Sequence, residues 1–306
     1  MGIVVFGAVF VDIKGYPIDQ FIPQGRNVGR IIQVHGGVSR NVVEDIANLE
    51  LLPTYVSVVD DTGIGKDVVE KLKRHKVNTD YIVETPDGLG TWLAIFDNNG
   101  DVAASISKRP DLSKIHDVLD KYGDKIISEC DSVVVEIGME EDLLKRIFEL
   151  SEKYNKRIFA VVSNMSIAME RRDLLSRVSC LVCNEQEAEL LFSEEYDLSD
   201  IWHLEQVLIK KVQQAELKSM VVTLGERGAV YASRDGEHGF CPPLKTDVID
   251  TTGAGDAIFA GIAVGLTYGK SLKEACNIGT RLASAVIATK ESVCSHFQPA
   301  EFGLEV

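Results

Sequence analysis

The chain has 306 residues, 45% of them hydrophobic and 26% charged, with a net charge of −15 at pH 7. That length can bury a sizeable core, and the acidity argues against nucleic acid or an anionic membrane surface as a partner, because both are polyanions. No stretch approaches the ~20 consecutive apolar residues of a membrane span, and the opening Met1 to Phe6 reads as a buried strand rather than a secretory leader or a myristoylation signal.

In chain order, Ile3–Phe6 is expected to form a strand. It runs into Gly7-Ala8-Val9-Phe10-Val11-Asp12, so Asp12 is expected just past the first strand, at the C-terminal edge of a parallel sheet, where ligands bind. A carboxylate there can accept two hydrogen bonds from a vicinal diol; the bland alternative is a solvated strand-end Asp. Residues 16–34 show strand periodicity with turns. Gly36-Gly37-Val38-Ser39-Arg40-Asn41 then opens a helix over 41–52, with apolar spacing at Val42, Ile46 and Leu49. Paired glycines let backbone approach a ligand closely, and Asn41 offers both a donor and an acceptor. Tyr55–Val59 reads as a strand and Gly65–His75 as a helix. A second excursion over 85–107 contains Asn98-Asn99-Gly100 between two strand-like runs, a strong hairpin signal.

Strands are then expected at Ser132–Glu136, Arg157–Val162, Cys180–Cys183 and Met220–Leu224, with helices at Glu140–Tyr154, Gln186–Phe192 and Leu204–Ala215 between them. Such alternation implies a parallel sheet covered on both faces. Asn184-Glu185-Gln186-Glu187 begins one of these helices, where acidic residues also complement the helix dipole. Thr223-Leu224-Gly225-Glu226-Arg227-Gly228 follows a strand; its glycines suit either close backbone passage or a plain hairpin turn. Two helices, 257–268 and 272–289, close the chain.

Ahead of the first of them lies Asp250-Thr251-Thr252-Gly253-Ala254-Gly255-Asp256. Glycines at a helix start let N–H groups converge on an anion, where the dipole favours negative charge. A carboxylate in such a hole repels the anion it is shaped for. Asp256 makes sense there as a general base that takes a proton from a hydroxyl attacking a phosphate. The bland alternative is a capping Asp.

Other motifs carry less. Cys130, Cys180, Cys183, Cys241, Cys276 and Cys294 are scattered, several in apolar runs, as reduced core thiols are. Cys180 and Cys183 have metal spacing but no second pair, so a strand is the better reading, and a reducing cytoplasm is the expected compartment. Gly265 to Ser271 is one residue short of a P-loop and ends a helix. Gly253-Ala254-Gly255 lacks the third glycine of a dinucleotide fingerprint. The six histidines share no spacing, and only His35 adjoins a motif.

The run D-T-T-G-A-G-D before an apolar helix resembles the C-terminal signature of the ribokinase-like (PfkB) carbohydrate and nucleoside kinases, and the resemblance extends over most of the chain. It implies an α/β fold: a three-layer αβα core with a mainly parallel sheet, in one kinase domain spanning 1–306, with a small β-sheet lid built from 16–34 and 85–107 that often serves as a dimer contact. Residue by residue, it implies that Asp256 is the catalytic base and that Gly253, Ala254 and Gly255 form the anion hole. Asp12, Gly36, Gly37 and Asn41 would bind the sugar. Asn184, Thr223, Gly225 and Gly228 would border the nucleotide. Glu187 would serve the metal through water, and Asp250 and Thr252 a monovalent cation. ATP, Mg²⁺ and K⁺ are the implied cofactors, with a small sugar or nucleoside as substrate and a homodimer through the lid. Many relatives carry Asp-Pro where this chain has Ser163-Asn164, a departure that bears on the metal site.

Within the family the chain is most similar to the pseudouridine kinases. The shared runs are G-G-V-x-R-N at Gly36 to Asn41, P-x-K-T-x-V-I-x-x-T-G-A-G-D from Pro243 to Asp256, and Asp12-Ile13-Lys14-Gly15-Tyr16. This implies ATP-dependent phosphorylation of the 5′-hydroxyl of pseudouridine, with Gln33 and Ser105 as candidates for reading the base. Ribokinase or another nucleoside kinase is the alternative. A non-catalytic ligand sensor is the reading from a different class, and the intact base and anion hole speak against it.

Overall fold

The structure, a computed structural model, describes residues 2–162, 165–193 and 200–304. The chain forms β1 (Ile3–Phe6), β2 (Phe10–Pro17), β3 (Gly29–Gly36), α1 (Val38–Asn48), β4 (Thr54–Val59), α2 (Gly63–Arg74), β5 (Asn78–Glu84), β6 (Gly90–Phe96), β7 (Val102–Lys108) and α3 (Lys114–Glu129). There follow β8 (Ser132–Glu136), α4 (Glu141–Lys153), β9 (Arg157–Val161), α5 (Met165–Met169), α6 (Arg172–Leu175), β10 (Leu181–Asn184), α7 (Glu185–Phe192) and α8 (Ile201–Gln214). The last elements are β11 (Ser219–Thr223), β12 (Ala229–Ser233), β13 (His238–Cys241), α9 (Ala254–Thr267) and α10 (Leu272–Ile287).

Two sheets result. The larger has nine strands in the order β13-β12-β11-β10-β9-β8-β1-β4-β5. From β11 to β5 its neighbours run parallel, and β12 and β13 add an antiparallel edge. Every residue of β1, β4 and β8 is buried, as a parallel sheet covered on both faces requires. Alternation divides the strand residues between two layers. Val4, Phe6, Val133 and Val135 pack with α3, α4 and α8. Ile3, Val5 and Val134 pack with α1, α9 and α10. Each fully buried Val, Ile or Phe contributes roughly 1.5–3 kcal/mol, so this αβα sandwich is the rigid part. No helix among the described residues is long and apolar enough to cross a membrane.

The smaller sheet has four strands, β3-β2-β6-β7, with β2 and β6 parallel and the outer pairs antiparallel. The β6–β7 hairpin turns at Asn98-Asn99-Gly100, where Gly100 has φ +88°. The first excursion therefore begins at Phe10, not at 16. That corrects the placement of Asp12. It lies within β2 of the small sheet, paired with Val34 and Trp92, and not at the edge of the core sheet. The chain leaves the core through Gly7 to Val9, and the apolar Phe10-Val11 already belongs to the next strand.

Several elements lay beyond the sequence reading. Helix α3 carries Gly123 in its middle, which blurs the apolar pattern; a Cβ there would meet Leu150 Cδ1 at 2.9 Å. Strand β5 is a half-exposed edge, and β12 and β13 form a short edge hairpin.

Candidate active site

Helix α9 begins after Gly253, whose φ of +85° a side chain would strain and whose absent Cβ would meet Ser292 O at 2.0 Å. No side chain caps this helix. Among the described residues the N–H groups of Gly253, Gly255 and Asp256 find no acceptor, while Ala254 N–H donates to Thr251 O. A Cβ at Gly255 would meet nothing within 4 Å, so the backbone here is open to an approaching group. An uncapped helix start with unpaired N–H groups suits an anion by its dipole and its free donors.

Asp256 sits in the first turn of α9. Its Oδ2 accepts from Asn41 Nδ2 at 2.7 Å, and Asn41 Oδ1 accepts from Ser292 Oγ at 3.3 Å. Burial pushes the Asp256 carboxyl up to about 7, against the pull of the Asn41 hydrogen bond and the Arg40 charge. The value is that of a base poised for neutral pH.

Asn41 stands where it does because α1 turns a polar stripe inward. Arg40, Glu44 and Asn48 recur at i, i+4, and Asn41 and Asp45 lie beside them, all buried. Arg40 donates to Gly36 O at 3.3 Å, to His35 O and to Glu44 at 2.6 Å, and reaches Ser292 Oγ at 3.4 Å. Lys71 adds a second cation 3.0 Å from Glu44. Asp45 accepts from Cys294 N–H at 2.7 Å, and Asn48 Nδ2 donates to Cys294 O at 2.7 Å. This stripe ties the segment around Ser292 to α1 and so fixes the start of α9. Breaking a buried ion pair of this kind typically costs about 3–5 kcal/mol.

Asp12 reaches the same cleft from β2. The missing Cβ of Gly36 makes room for it, since one would come within 2.4 Å of Asp12 Oδ1. Burial raises the Asp12 carboxyl above its usual range, opposed by Lys14 and Arg40. Gly37, with φ +99°, caps α1, and its Cβ would meet Ala8 O at 2.8 Å. The cleft has a volume of about 640 Å³ and runs from Asn41, Thr252 and Ser292 past Asp12 to Tyr16 and Arg30. Gln33 lines it as well. Ser105 is exposed on β7 in the row of Ala94 and is not among the lining residues.

At the C-terminal edge of the core sheet, Asn184 of β10 and Thr223 of β11 are in register. Asn184 Oδ1 accepts from Glu187 N–H at 2.8 Å, and Glu187 Oε2 accepts from Asn184 N–H at 2.9 Å. This reciprocal cap starts α7. Burial raises the Glu187 carboxyl against that backbone bond. Gly225, with φ +57°, faces open space; Gly228, with φ +96°, has no room for a Cβ beside Cys241 O at 2.3 Å. Asp250 Oδ1 accepts from Thr252 N–H at 2.8 Å, and both residues line the cleft. Ser163-Asn164 lies outside the described residues.

The structure thus brings Asp12, Gly36, Asn41, Asp250 and Thr252 around one cleft, with Asp256 hydrogen-bonded to Asn41 at its end and the Gly253–Gly255 turn beside Ser292. Asn184, Thr223 and Glu187 stand together at the sheet edge. Lys14, Arg30 and Ser292 were missed. Lys14 and Arg30 look like solvated strand charges in sequence, and Ser292 lies 36 positions past Asp256 with no motif between.

Comparison with known proteins bears on this arrangement. Residues 2–296 match the model of the pfkB family carbohydrate kinases. The chain is 34% identical over 293 residues to a guanosine-inosine kinase of Exiguobacterium acetylicum, covering 95% of each protein. It is 27% identical over 269 residues to the pseudouridine kinase of Escherichia coli, covering 85% of this chain and 82% of that one. Among solved structures, the ribokinase of Arabidopsis thaliana, complexed with ribose and ATP, superposes with a TM-score of 0.84 over 98% of this chain and 97% of that one at 19% identity. The similarity supports the ribokinase-like fold.

Proposed function

The chain belongs to the pfkB family of carbohydrate and nucleoside kinases and is an ATP-dependent phosphotransferase with an alcohol as acceptor, and from that premise we propose that it phosphorylates the 5′-hydroxyl of a purine ribonucleoside, guanosine or inosine. The observation that carries this is the Asp256 carboxylate, held by Asn41 at an uncapped glycine turn, beside a cleft of about 640 Å³ that Asn41 lines. The relative at 34% identity favours the purine over the free sugar.

In this reading Asp12 accepts from the ribose diol while Gly36 and Gly37 let it lie close. Asp256 takes the proton of the 5′-hydroxyl as that oxygen bonds to the terminal phosphorus and the bond to ADP breaks. Asn41 holds the carboxylate toward the attacking oxygen. The N–H groups of Gly253 to Gly255 face the charge that develops on the transferring group. Gly225, Gly228, Asn184 and Thr223 border the nucleotide. Mg²⁺, when bound, neutralises phosphate charge, and Glu187 suits it through water, because Oε2 already serves the α7 cap and such ions keep much of their water shell. Asp250 and Thr252 would hold a monovalent cation such as K⁺ beside the anion hole.

Pseudouridine is the second reading, favoured by the Pro243–Asp256 run and the relative at 27% identity. The small sheet acts as a lid over the cleft. Two copies pair through its outer face, where Ile31 and Ile106 are 75% and 72% exposed beside Leu93 and Ile95. The expected compartment is the cytoplasm.

A panel of guanosine, inosine, pseudouridine, adenosine and ribose with ATP tests the substrate. Guanosine or inosine is expected to show the highest kcat/KM. Ribose turned over far faster than any nucleoside would sink the nucleoside reading.

A further inference from the structure

Lys14 is unusual among the charged residues of the lid. It is only 8% exposed and lines the cleft. Among the described residues no hydrogen bond or ion pair takes its ammonium. Its row neighbours across the sheet are Ile32 on β3 and Ala94 on β6, neither of which offers a side-chain acceptor. An ammonium has three donors and no acceptor, and this one stands close enough to Asp12 to favour that residue's ionised carboxylate. Its stem is buried while its donors stay within reach of a group that enters the cleft.

Its place in the sheet says which part of the substrate that is. Side chains two apart on a strand share a face and stand about 7 Å from each other. Asp12, Lys14 and Tyr16 form such a series on β2, all lining the cleft. Asp12 is nearest the sugar loop at Gly36. Tyr16 is at the far end, stacked on Phe96 at 4.7 Å with the Arg30 guanidinium 5.5 Å from its ring. With the ribose diol on Asp12 and its 5′ end at Asp256, the base must extend along this series, and Lys14 meets its edge.

Resting on the nucleoside-kinase reading, we propose that Lys14 reads the base, donating to the carbonyl oxygen of an oxo-base and excluding adenine. Guanine and hypoxanthine present the 6-oxo group and N7 side by side, two acceptors that suit an ammonium; adenine replaces the oxo group with an amino donor. Uracil also carries carbonyl acceptors, so the two nucleoside readings above share this contact.

The test compares wild type and Lys14→Met on inosine, adenosine and purine riboside, which lacks any 6-substituent, with ATP in excess. Pseudouridine takes the place of inosine if wild type prefers it. Wild type is expected to favour the oxo-base over adenosine and purine riboside by about 10- to 100-fold in kcat/KM, the range for a hydrogen bond to a charged group. In Lys14→Met that advantage collapses to within about threefold, chiefly through KM, since a contact to the unreacting base is uniform binding. Lys14→Gln keeps a neutral donor and is expected to retain an intermediate ratio, which preserves the test if Lys14→Met does not fold. A wild-type preference for adenosine, or an unchanged ratio in both variants, overturns the role of Lys14 and leaves the kinase reading intact. Turnover of ribose with no nucleoside turned over sinks both.

Discussion

The two sheets obey different rules. In the core sheet, β1, β4 and β8 are buried at every position, and their polar groups are spent on the backbone ladder. In the lid sheet, β7 is exposed throughout and β3 nearly so. The face of the lid that lines the cleft carries Asp12, Lys14 and Arg30, and its other face leaves Ile31 and Ile106 exposed. A layer with so little buried surface belongs to the low-stability end of a structure, from which moving elements are drawn. The proposed reacting groups, by contrast, stand on the rigid side. Asp256 begins a buried helix, and Asn41 is 6% exposed on another. In the proposed function, chemistry is held by the core and recognition falls to the lid.

Substitutions can break this division. The largest effect is expected from Asp256→Asn on the core side. Its kcat should fall by roughly 10²–10⁴, the worth of a general base, with KM for the nucleoside changing little; steady-state kinetics would show it, and near-normal turnover would end the assignment. Next is the core itself. Phe148 is fully buried, and Phe148→Ala should cost about 3–5 kcal/mol in urea unfolding. On the lid, Ile106→Ser should change stability by no more than about 0.5 kcal/mol while shifting the monomer–dimer balance toward monomer in sedimentation. Equal costs at the two positions would erase the contrast. Gly253→Ala lies between them. A strained φ alone costs about 1–3 kcal/mol, and the overlap with Ser292 O should displace the anion turn and lower kcat as well.

The remaining effects concern pH. Asp256 must be ionised to accept a proton and its carboxyl sits at about 7, so kcat/KM should fall below pH 7 and level off above it. The Asn41 hydrogen bond favours the ionised form, so Asn41→Ala should move that midpoint upward. The sign for stability is the reverse of that for activity. The folded state binds the Asp256 proton more tightly than the unfolded chain, so this contribution is present at low pH and lost as pH rises through about 7. Asp256→Asn stays neutral, and its Tm advantage over wild type should therefore grow between pH 5 and 8.

How much of this was legible in sequence follows the same division. Uniform apolar runs such as Val133–Val135 and the helix 254–267 announce themselves, since burial on both sides leaves no room for polar residues. The glycine turn with Asp256 was equally plain, because φ +85° and a bare backbone demand glycine. The lid was read only as two β excursions, and Asp12 was assigned to the wrong sheet, because a half-exposed strand carries mixed residues with no strict period.

The local sequence determined the alternating core, the open turn before α9 and the presence of an acidic group within it. These depend on burial and backbone geometry, which neighbouring residues encode. Only the tertiary structure decided that Asn41, 215 positions away, holds Asp256, that Ser292 backs Asn41, and that Lys14 lines the cleft beside Asp12. Such contacts join residues distant in the chain, and a side chain's partner, or its lack of one, is fixed only when the sheets and helices have packed.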